Sequence, residues 1–248
     1  MKARLLIDTP KDVYTNLSID ETLLKFCKIP TLRIYSWSRQ SATVGRFQSL
    51  RDELDVAFCE QRQIQFTRRT TGGGACFQDD EIIYSLSIPV ENEFFSPDLH
   101  DSYHFICEAV IRGLSKIDIQ AEYKPINDLV VGTKKISGCA QTRKNNIILH
   151  HGTLLMGVNP ELMFRVLKVP KEKISDKLIS DFKDRVTSIR DILHTDISKE
   201  KLTQCIVEGF EDIFGFNLYE DVLTDEELQY ADKVKKEVFT NPDWIFER

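Results

Sequence analysis

Residues 68–89 read RRTTGGGACFQDDEIIYSLSIP. The segment begins with two arginines and three consecutive glycines, and two apolar runs follow on either side of Asp79 and Asp80. Apolar and β-branched residues that flank a short acidic turn predict a β-hairpin. Glycine backbone has no Cβ atoms in the way, so a ligand can approach its peptide N–H groups closely. We therefore predict antiparallel β-structure with a ligand-binding loop at its beginning.

Hydrophobic periodicity on both sides of this segment predicts the other strands and helices. Further strands are predicted at residues 3–7, 31–37, 64–68, 128–131, 135–141 and 147–156, with 42–45 as the hairpin partner of 31–37. Helices are predicted at residues 14–26, 50–59, 97–114, 199–214 and 224–238, and the acids Asp20 and Glu21 make the first of them amphipathic. Strands precede helices without regular β–α alternation, which predicts an α+β fold with a mixed, largely antiparallel sheet flanked by helices. No repeat or linker interrupts the chain, so we expect residues 1–248 to form a single domain with a helical tail from about residue 190.

Composition excludes several classes of protein. With 248 residues and 42% hydrophobic side chains, the chain is long and apolar enough to bury its own core. A net charge of −6 argues against a general nucleic-acid binder. No apolar run approaches the roughly 18 residues of a membrane span, and the first residues lack the apolar core of a signal peptide. The six cysteines show no zinc-ligand spacing, so we expect reduced thiols in a cytoplasmic protein.

The glycine loop is the first candidate site. Arg68 and Arg69 add permanently charged, forked donors beside Gly72, Gly73 and Gly74, and such donors suit a phosphate or a carboxylate. The loop lacks the lysine spacing of a P-loop and does not match the dinucleotide-binding glycine pattern. The alternative is a flexible turn whose arginines are merely solvated at a sheet edge.

A second group of polar residues falls on the later strands. Side chains alternate along a strand, so Lys135 and Ser137 should share one face while Lys134 points to the other. A lysine that faces a pocket neutralises an anion and stabilises negative charge as it develops. The alternative is a pair of surface lysines in a hairpin. His150 and His151 should face opposite sides of their strand, so they do not ligate one metal ion together.

Two cysteines are near enough to these groups in sequence to act as nucleophiles. Cys139 follows the lysine-containing segment, and an adjacent cation would lower the pKa of its thiol. Cys76 follows the glycine loop directly. For both, the alternative is a free cysteine packed in the core, which is the commoner role of a lone cysteine in a strand.

Six short motifs occur in order along the chain: NLSIDE at 16–21, VGRFQ at 44–48, RRTTGGGA at 68–75, NDLVV at 127–131, KISG at 135–138 and HHGTLL at 150–155. Together they resemble the lipoate–protein ligase A and octanoyltransferase family, which is related in fold to the biotin–protein ligases. The RVT segment at 185–187 continues the resemblance into the tail. The resemblance implies a biotin/lipoate ligase-like catalytic domain with a tunnel for an acyl chain.

The resemblance also implies roles for individual residues. Lys135 would be the essential catalytic lysine, contacting the activated carbonyl group. The residues implied to bind substrate or cofactor are Arg69, Gly72, Gly73, Gly74, Ala75, Asn127, Asp128, Ser137, Gly138, His151 and Gly152. Arg69 and the glycines would surround the acyl phosphate, Asn127 and Asp128 the nucleotide phosphates and any Mg²⁺, and His151 the pocket wall.

Two subfamilies differ in how they activate the acyl group. The ligases use ATP to convert lipoate into lipoyl-AMP and then acylate a lysine, whereas the transferases form a thioester on a cysteine in a longer loop. Residues 115–127 contain no cysteine and look too short for that loop, and Gly74 and Asn127-Asp128 are ligase-like. The segments 80–85 and 141–143 are instead transferase-like. We favour an ATP-dependent ligase that acts on lipoate or octanoate.

The alternatives are a cysteine-dependent octanoyl or lipoyl transferase and a non-catalytic paralogue that binds lipoate or a carrier domain. The chain ends at Arg248 without room for the small C-terminal domain of full ligases. An accessory subunit would then assist adenylation, or the enzyme would act alone. The expected partner is a lipoyl-acceptor domain, and neither a nucleic acid nor a membrane is expected.

Overall fold

The computed structural model describes residues 1–90, 99–169 and 176–248. The strands are β1 (Lys2–Ile7), β2 (Thr31–Tyr35), β3 (Ser41–Val44), β4 (Gln65–Arg68), β5 (Cys76–Gln78), β6 (Glu81–Pro89), β7 (Glu122–Lys124), β8 (Asp128–Val131), β9 (Lys134–Lys144), β10 (Ile147–Leu155) and β11 (Asn217–Glu220). The helices are α1 (Val13–Phe26), α2 (Leu50–Glu53), α3 (Val56–Gln61), α4 (Leu99–Ser115), α5 (Pro160–Val166), α6 (Asp176–Lys183), α7 (Ile189–Leu193), α8 (Lys199–Phe214), α9 (Asp225–Val234) and α10 (Pro242–Ile245), with a π-helical segment at Lys235–Phe239. None of the described helices is both long and apolar enough to cross a membrane.

The strands form two sheets in the described part of the chain. The larger sheet has eight strands in the order β11-β1-β2-β6-β10-β9-β8-β7, and the smaller has three in the order β4-β3-β5. In the larger sheet, β1 is parallel to β2 and β11, and every other neighbouring pair is antiparallel. The prediction of a mixed, largely antiparallel sheet flanked by helices is confirmed.

The larger sheet is covered by helices on both faces. Ile148 of β10 packs into the main core with residues of α4 and α8, whereas its neighbour Leu149 packs against Leu24 of α1. A strand buried on both faces has apolar residues on both sides, which explains the continuous apolar run at the beginning of β10. α4 and α8 approach each other closely, since a Cβ on Gly209 would lie 2.3 Å from the carbonyl oxygen of Ala109.

Two predicted strand pairings are wrong. Residues 42–45 contain β3, but β3 pairs with β4 and β5 and not with β2. The predicted hairpin at residues 75–88 contains β5 and β6, but they belong to different sheets, and the turn at Asp79 and Asp80 takes the chain from one to the other. β6 cannot pair with β5 because both of its edges are already hydrogen-bonded, one to β2 and the other to β10.

The helix predictions need smaller corrections. Residues 50–59 form two short helices because the Asp55 side chain accepts from Phe58 N and begins α3. Residues 97 and 98 of the predicted 97–114 helix lie outside the described residues, and α4 occupies the rest. The strand β11 was not predicted; it follows Gly215, whose φ of +61° ends α8, and it pairs with β1. The single-domain organisation over residues 1–248 stays a prediction.

Candidate active site

A cavity of about 340 Å³ lies between the two sheets. β3 and β5 of the smaller sheet line one side, and β6, β9 and β10 of the larger sheet line the other. Its apolar lining includes Leu17, Tyr35, Trp37, Ile83, Leu155 and Phe182. Its polar lining includes Arg69, Asn127, Lys135 and His151 together with backbone of the glycine loop. Such a mixture suits a ligand with an apolar chain and a polar end.

Arg69 holds the glycine loop in shape. Its Nη2 donates to the carbonyl oxygens of Gly72 and Gly74, both at 2.9 Å. Its Nη1 donates to Thr43 Oγ1 at 2.9 Å, and its Nε donates to Thr71 Oγ1 at 3.3 Å. Arg69 lines the cavity, but its donors are engaged with the protein and fix the loop; its contact with an acyl phosphate stays a prediction.

The loop also depends on a close approach to a second turn. Gly73 has a φ of +97°, and its carbonyl oxygen would lie 2.0 Å from a Cβ on Gly45. Only glycine fits at position 45 while the loop holds this shape. Arg68 is fully buried beneath this turn and donates to Gln48 O at 2.6 Å and to Trp244 O at 3.0 Å. The two adjacent arginines thus fix different segments, and neither is merely solvated at a sheet edge.

His151 links the loop to a buried ion pair. Its Nε2 lies 3.0 Å from Thr71 Oγ1, and its Nδ1 lies 3.2 Å from Asp20 Oδ2. Asp20 also forms a salt bridge of 2.8 Å with Arg33, and both side chains are almost fully buried. Burial raises the pKa of Asp20, but the hydrogen bond with His151 and the charge of Arg33 outweigh it, so the net pKa is lowered.

The burial of Asp20 corrects the sequence analysis. Asp20 and Glu21 were expected to give α1 a polar face, yet their relative exposures are only 2% and 9%. Helical periodicity cannot identify a buried acid because its partner, Arg33, lies on another element. One sequence feature pointed to the buried ion pair. Asp20 lies in the NLSIDE motif, and Arg33 is a charged residue in a strand that is otherwise mostly apolar.

Lys135 is held by both its side chain and its backbone. Its Nζ lies 2.6 Å from Asp128 Oδ1. Its backbone N donates to Arg185 O at 2.7 Å, and its carbonyl oxygen accepts from Thr187 N at 2.8 Å. The ammonium group is therefore positioned at the cavity wall by β8 and by a segment that follows α6. The RVT segment contributes through this backbone pairing.

The predicted facing of Ser137 is wrong. The register of β9 against β8 shifts between Leu129 and Val130, leaving Ile136 as an extra residue in β9. A bulge reverses the alternation beyond it. Lys135 therefore lines the cavity together with Gly138, whereas Ser137 is buried beside Tyr84 on the opposite side of the sheet.

Two glycines of the candidate site leave room for neighbouring side chains. A Cβ on Gly138 would lie 2.7 Å from Lys135 Nζ, and one on Gly152 would lie 2.2 Å from the Tyr84 hydroxyl oxygen. Both glycines line the cavity. Glycine is therefore favoured at these two motif positions because a side chain there would collide with Lys135 or Tyr84.

Cys139 lines the cavity with only 5% of its surface exposed. Its Sγ lies 3.9 Å from Cys107 Sγ and 3.2 Å from the carbonyl oxygen of Asn127. The hydrogen bond from Cys107, which outweighs burial and is aided by His150, lowers the pKa of the Cys139 thiol. Cys76 also lines the cavity and is exposed. Cys76 therefore reaches the site, whereas Cys139 belongs to the cavity wall but its Sγ lies on the core side of β9, against Cys107.

Glu81 is an acid that the sequence analysis did not select. It lies in the cavity wall with 2% of its surface exposed, and its Oε1 accepts from Trp37 Nε1 at 2.7 Å. Burial raises the pKa of this carboxyl to about 8. Glu81 is therefore mostly protonated at neutral pH and presents a neutral surface beside the apolar lining.

The structure brings most of the predicted residues together. Those that line the cavity are Arg69, Gly73, Gly74, Ala75, Asn127, Lys135, Gly138, Cys139, His151 and Gly152. Gly72 contributes a carbonyl oxygen to Arg69, and Asp128 contacts Lys135. In the described part of the chain, Asp128 does not join a group of three or more potential metal-ligating side chains. A Mg²⁺ ion there would need phosphate oxygens and water as its other ligands.

The sequence profile of the lipoyl protein ligase A/B catalytic domain matches residues 12–211. The chain belongs to this family. As a lipoyl ligase A/B domain, it is an enzyme of the lipoate ligase and octanoyltransferase group, and its chemistry is acyl transfer in protein lipoylation. The resemblance that the six motifs indicated is confirmed.

Relatives of this lipoyl ligase A/B domain include both subfamilies. It is 30% identical to the octanoyltransferase LipM of Kyrpidia tusciae, over 88% of this chain and 89% of that protein. It is 26% identical to an archaeal bipartite lipoate protein ligase from Thermoplasma acidophilum, whose structure covers 99% of this chain and 96% of that one with a TM-score of 0.90. A lipoate-protein ligase A bound with ATP has the same fold, with a TM-score of 0.86, 24% identity and 99% of each chain covered.

Proposed function

We propose that this domain transfers an octanoyl or lipoyl group to the ε-amine of a lysine in a lipoyl-acceptor domain. The observation that carries the proposal is the cavity, in which apolar side chains adjoin the Lys135 ammonium and the glycine loop. An apolar chain fits the first part, and a reacting carbonyl group fits beside the second. A lipoyl-acceptor partner is supported by the Thermoplasma acidophilum ligase, which was described together with its E2 lipoyl domain.

The first candidate for the acyl donor is a thioester. The curated relatives are named octanoyltransferases, and these names favour the transferase alternative over the ATP-dependent ligase that the sequence analysis favoured. The acceptor amine would attack the thioester carbonyl carbon, forming a C–N bond and placing negative charge on the carbonyl oxygen. The C–S bond then breaks, the thiolate leaves, and the proton lost by the amine goes to that thiolate.

Lys135 would stabilise the developing negative charge on the carbonyl oxygen. Asp128, 2.6 Å from its Nζ, keeps the lysine oriented. A preorganised cation costs no reorganisation at the moment of reaction, so it acts more strongly than the same charge in water. His151 has both ring nitrogens engaged, with Thr71 and Asp20, so we propose that it positions the wall and does not act as the base.

The transfer would be either direct or through an acyl-cysteine. Of the described cysteines, Cys76 and Cys139 line the cavity. In the covalent route the cysteine thiolate takes the acyl group from the donor, releasing the donor thiol, and the acceptor amine then takes it from the cysteine. Cys76 is the more accessible of the two, because it is exposed at the cavity whereas Cys139 Sγ lies on the core side of β9, 3.9 Å from Cys107 Sγ.

The second candidate is the ATP-dependent ligase. The specific observations in its favour are the absence of a cysteine from residues 115–127 and the 26% identity to the Thermoplasma acidophilum ligase. ATP would then activate the free acid as an acyl-adenylate, and Mg²⁺ would accompany its phosphates. Asn127, Asp128 and the glycine loop are the residues that would face the phosphates. An accessory adenylation subunit remains part of this candidate.

One experiment separates the two donors. The full chain is incubated with a lipoyl-acceptor domain and either an octanoyl thioester of a carrier protein or free octanoate or lipoate with ATP and Mg²⁺. Intact mass spectrometry then shows whether the acceptor has gained an acyl group. We expect acylation from the thioester donor. Acylation from ATP and free acid alone would establish the ligase, and an unmodified acceptor with every donor would refute the proposed function.

The role of the cysteines is tested in the same assay. Cys76→Ser should abolish any acyl-enzyme seen by mass spectrometry, while Cys139→Ser should leave it unchanged. If the transfer is direct, both variants should keep most of the activity because serine preserves the packing. Sensitivity to neutral hydroxylamine distinguishes a thioester, which is cleaved, from an ester on serine, which is not.

A further inference from the structure

A cluster of three potential metal ligands lies behind the cavity wall. Cys107 of α4, Cys139 of β9 and His150 of β10 are all buried, and their ligand atoms lie within 4.8 Å of one another. Among the described residues, this is the one group of three or more histidine, cysteine or acidic side chains that converge in this way. Sequence spacing did not predict it because its members come from three separate elements.

The hydrogen bonds of His150 leave its Nε2 free to coordinate. Gln141 Nε2 donates to Ser102 Oγ at 3.0 Å, which turns Gln141 Oε1 towards His150 Nδ1 at 3.2 Å. An amide oxygen only accepts, so Nδ1 carries the ring proton and Nε2 keeps its lone pair. Histidines that ligate metals are oriented by a hydrogen bond of this kind on the other ring nitrogen.

Polar atoms without partners surround the same point. Among the residues that the structure describes, none forms a hydrogen bond with the buried His150 Nε2, the Tyr84 hydroxyl or Ser137 Oγ. The Tyr84 ring stacks on His150 with 6.0 Å between centroids, and the Tyr84 hydroxyl lies near Cys107 and Cys139. Each unpartnered buried polar atom costs free energy that a bound ion, or a water attached to it, would recover.

The two sulfur atoms already have the spacing that zinc requires. Zn–S bonds of about 2.3 Å at tetrahedral angles place two thiolates roughly 3.8 Å apart. Cys107 Sγ and Cys139 Sγ are 3.9 Å apart. Two thiolates and a neutral imidazole would neutralise a divalent ion, so the complex carries no net charge into the core.

We propose that Cys107, Cys139 and His150 form a binding site for a zinc-class divalent ion. The ion replaces two thiol protons, one from each cysteine, and these are released to solvent. A water near the Tyr84 hydroxyl takes the fourth position. Cys139 is also a residue of the cavity wall, so the site lies directly behind the cavity. The site is independent of the proposed acyl transfer, except that a metal-bound Cys139 is not available as a nucleophile.

Cobalt is the probe, because Co²⁺ occupies zinc sites and reports thiolate ligands in its absorption spectrum. The reduced full-length chain, freed of metal by a chelator, is titrated with Co²⁺ alone. We expect one equivalent to bind with a thiolate-to-cobalt charge-transfer band and tetrahedral visible bands, and Zn²⁺ to displace it. About two protons should be released per ion. No acyl-transfer activity is measured, so failure of the proposed function does not affect the result.

Variants locate the site. Cys107→Ser, Cys139→Ser and His150→Gln should each lose the tetrahedral spectrum or weaken Co²⁺ binding at least tenfold, while Cys205→Ser should not. Cys205 is the matched control because it is equally buried, at 1% exposure, and lies in α8 outside the cluster. If a variant fails to fold, the wild-type chain still decides, through the thiolate-to-cobalt band and the release of about two protons per ion. Binding without a thiolate band, or binding unchanged in all three variants, would overturn the proposal.

Discussion

His150 and His151 are adjacent in β10 but lie in opposite environments. On the cavity face, both ring nitrogens of His151 have partners, and the Asp20 and Arg33 charges behind it neutralise each other. On the core face, His150 Nε2 has no hydrogen-bond partner within residues 1–90, 99–169 and 176–248. Two residues joined by one peptide bond thus belong to different polar networks. The hydrogen bonds of the His151 network are largely satisfied, and those of the His150 network are not. The first is preorganised for a substrate, and the second is suited to accept a ligand of its own.

Removing the charge of Asp20 should break the cavity-face network most severely. Asp20→Asn keeps the shape of the side chain but leaves Arg33, which is fully buried, with Asp8 as its remaining acidic partner. Breaking a buried ion pair costs about 3–5 kcal/mol, so urea unfolding should show a loss of that size. Asp212→Asn removes an exposed carboxylate and should leave the unfolding midpoint nearly unchanged. Equal midpoints for both variants would mean that the network does not stabilise this face.

Replacing Lys135 should remove catalysis while leaving the network intact. Loss of a charge-stabilising donor in a water-poor site typically lowers the rate on the order of 10²–10³-fold. We expect Lys135→Ala to reduce acceptor acylation by that factor with little change in the thermal unfolding midpoint. Lys134→Ala removes the same charge from the neighbouring residue and should keep most activity. A similar loss in both variants would indicate a general charge effect and contradict the role of Lys135.

A substitution at Gly152 tests how tightly β10 packs against Tyr84 on the core face of the sheet. A methyl group there would lie 2.2 Å from the Tyr84 hydroxyl oxygen, so Gly152→Ala must displace the ring that stacks on His150. Overpacking of this kind costs about 1–3 kcal/mol, measurable by urea unfolding. Gly72→Ala is the control, since no described atom lies within 4 Å of a Cβ at that position. Little loss in Gly152→Ala would show that Tyr84 moves freely.

Glu81 is the exception on the cavity face, because its carboxyl group forms no salt bridge in the described part of the chain and accepts from Trp37 instead. Burial raises its folded-state pKa to about 8 from 4.5, so the folded protein holds a proton that the unfolded chain releases in this pH window. The contribution of Glu81 to the free energy of unfolding is therefore fully present below about pH 4.5, and it is lost as the pH rises towards 8. The slope should be about 1.4 kcal/mol per pH unit at most. Glu81→Gln keeps an acceptor for Trp37 and should flatten the dependence measured between pH 6 and 7; an unchanged slope would contradict the raised pKa.

The sequence predicts which segments are regular better than it predicts how they pair. Alternation and helical periodicity report which faces are buried, so β10 and α8 are predicted within a residue or so of their observed bounds. Neither pattern names a partner strand, and β5 and β6 were therefore joined in a hairpin that does not exist. β11 escaped prediction because its four residues carry a weak pattern and its partner β1 lies at the other end of the chain.

The same limit applies to the site. Lys135, the glycine loop and His151 were selected from motifs, and the structure places all three at one cavity. Short motifs mark backbone turns and functional side chains directly, which is why this selection succeeded. The facing of Ser137 was wrong because a bulge at Ile136 breaks strict alternation and leaves no mark in composition. Asp20, Glu81 and Cys107 were missed as site residues because each owes its environment to residues far away in sequence.

The backbone hydrogen bonds that hold Lys135 determine when the active site can form during synthesis of the chain. The hydrogen bonds that fix Lys135 come from Arg185 and Thr187, about fifty residues later in the chain. While the ribosome is still synthesising that interval, Lys135 lies at the beginning of a strand whose partner segment does not yet exist. The lysine can therefore be held in its working position only after residue 187 has left the exit tunnel, so a nascent chain with all six motifs already made still lacks a finished active site.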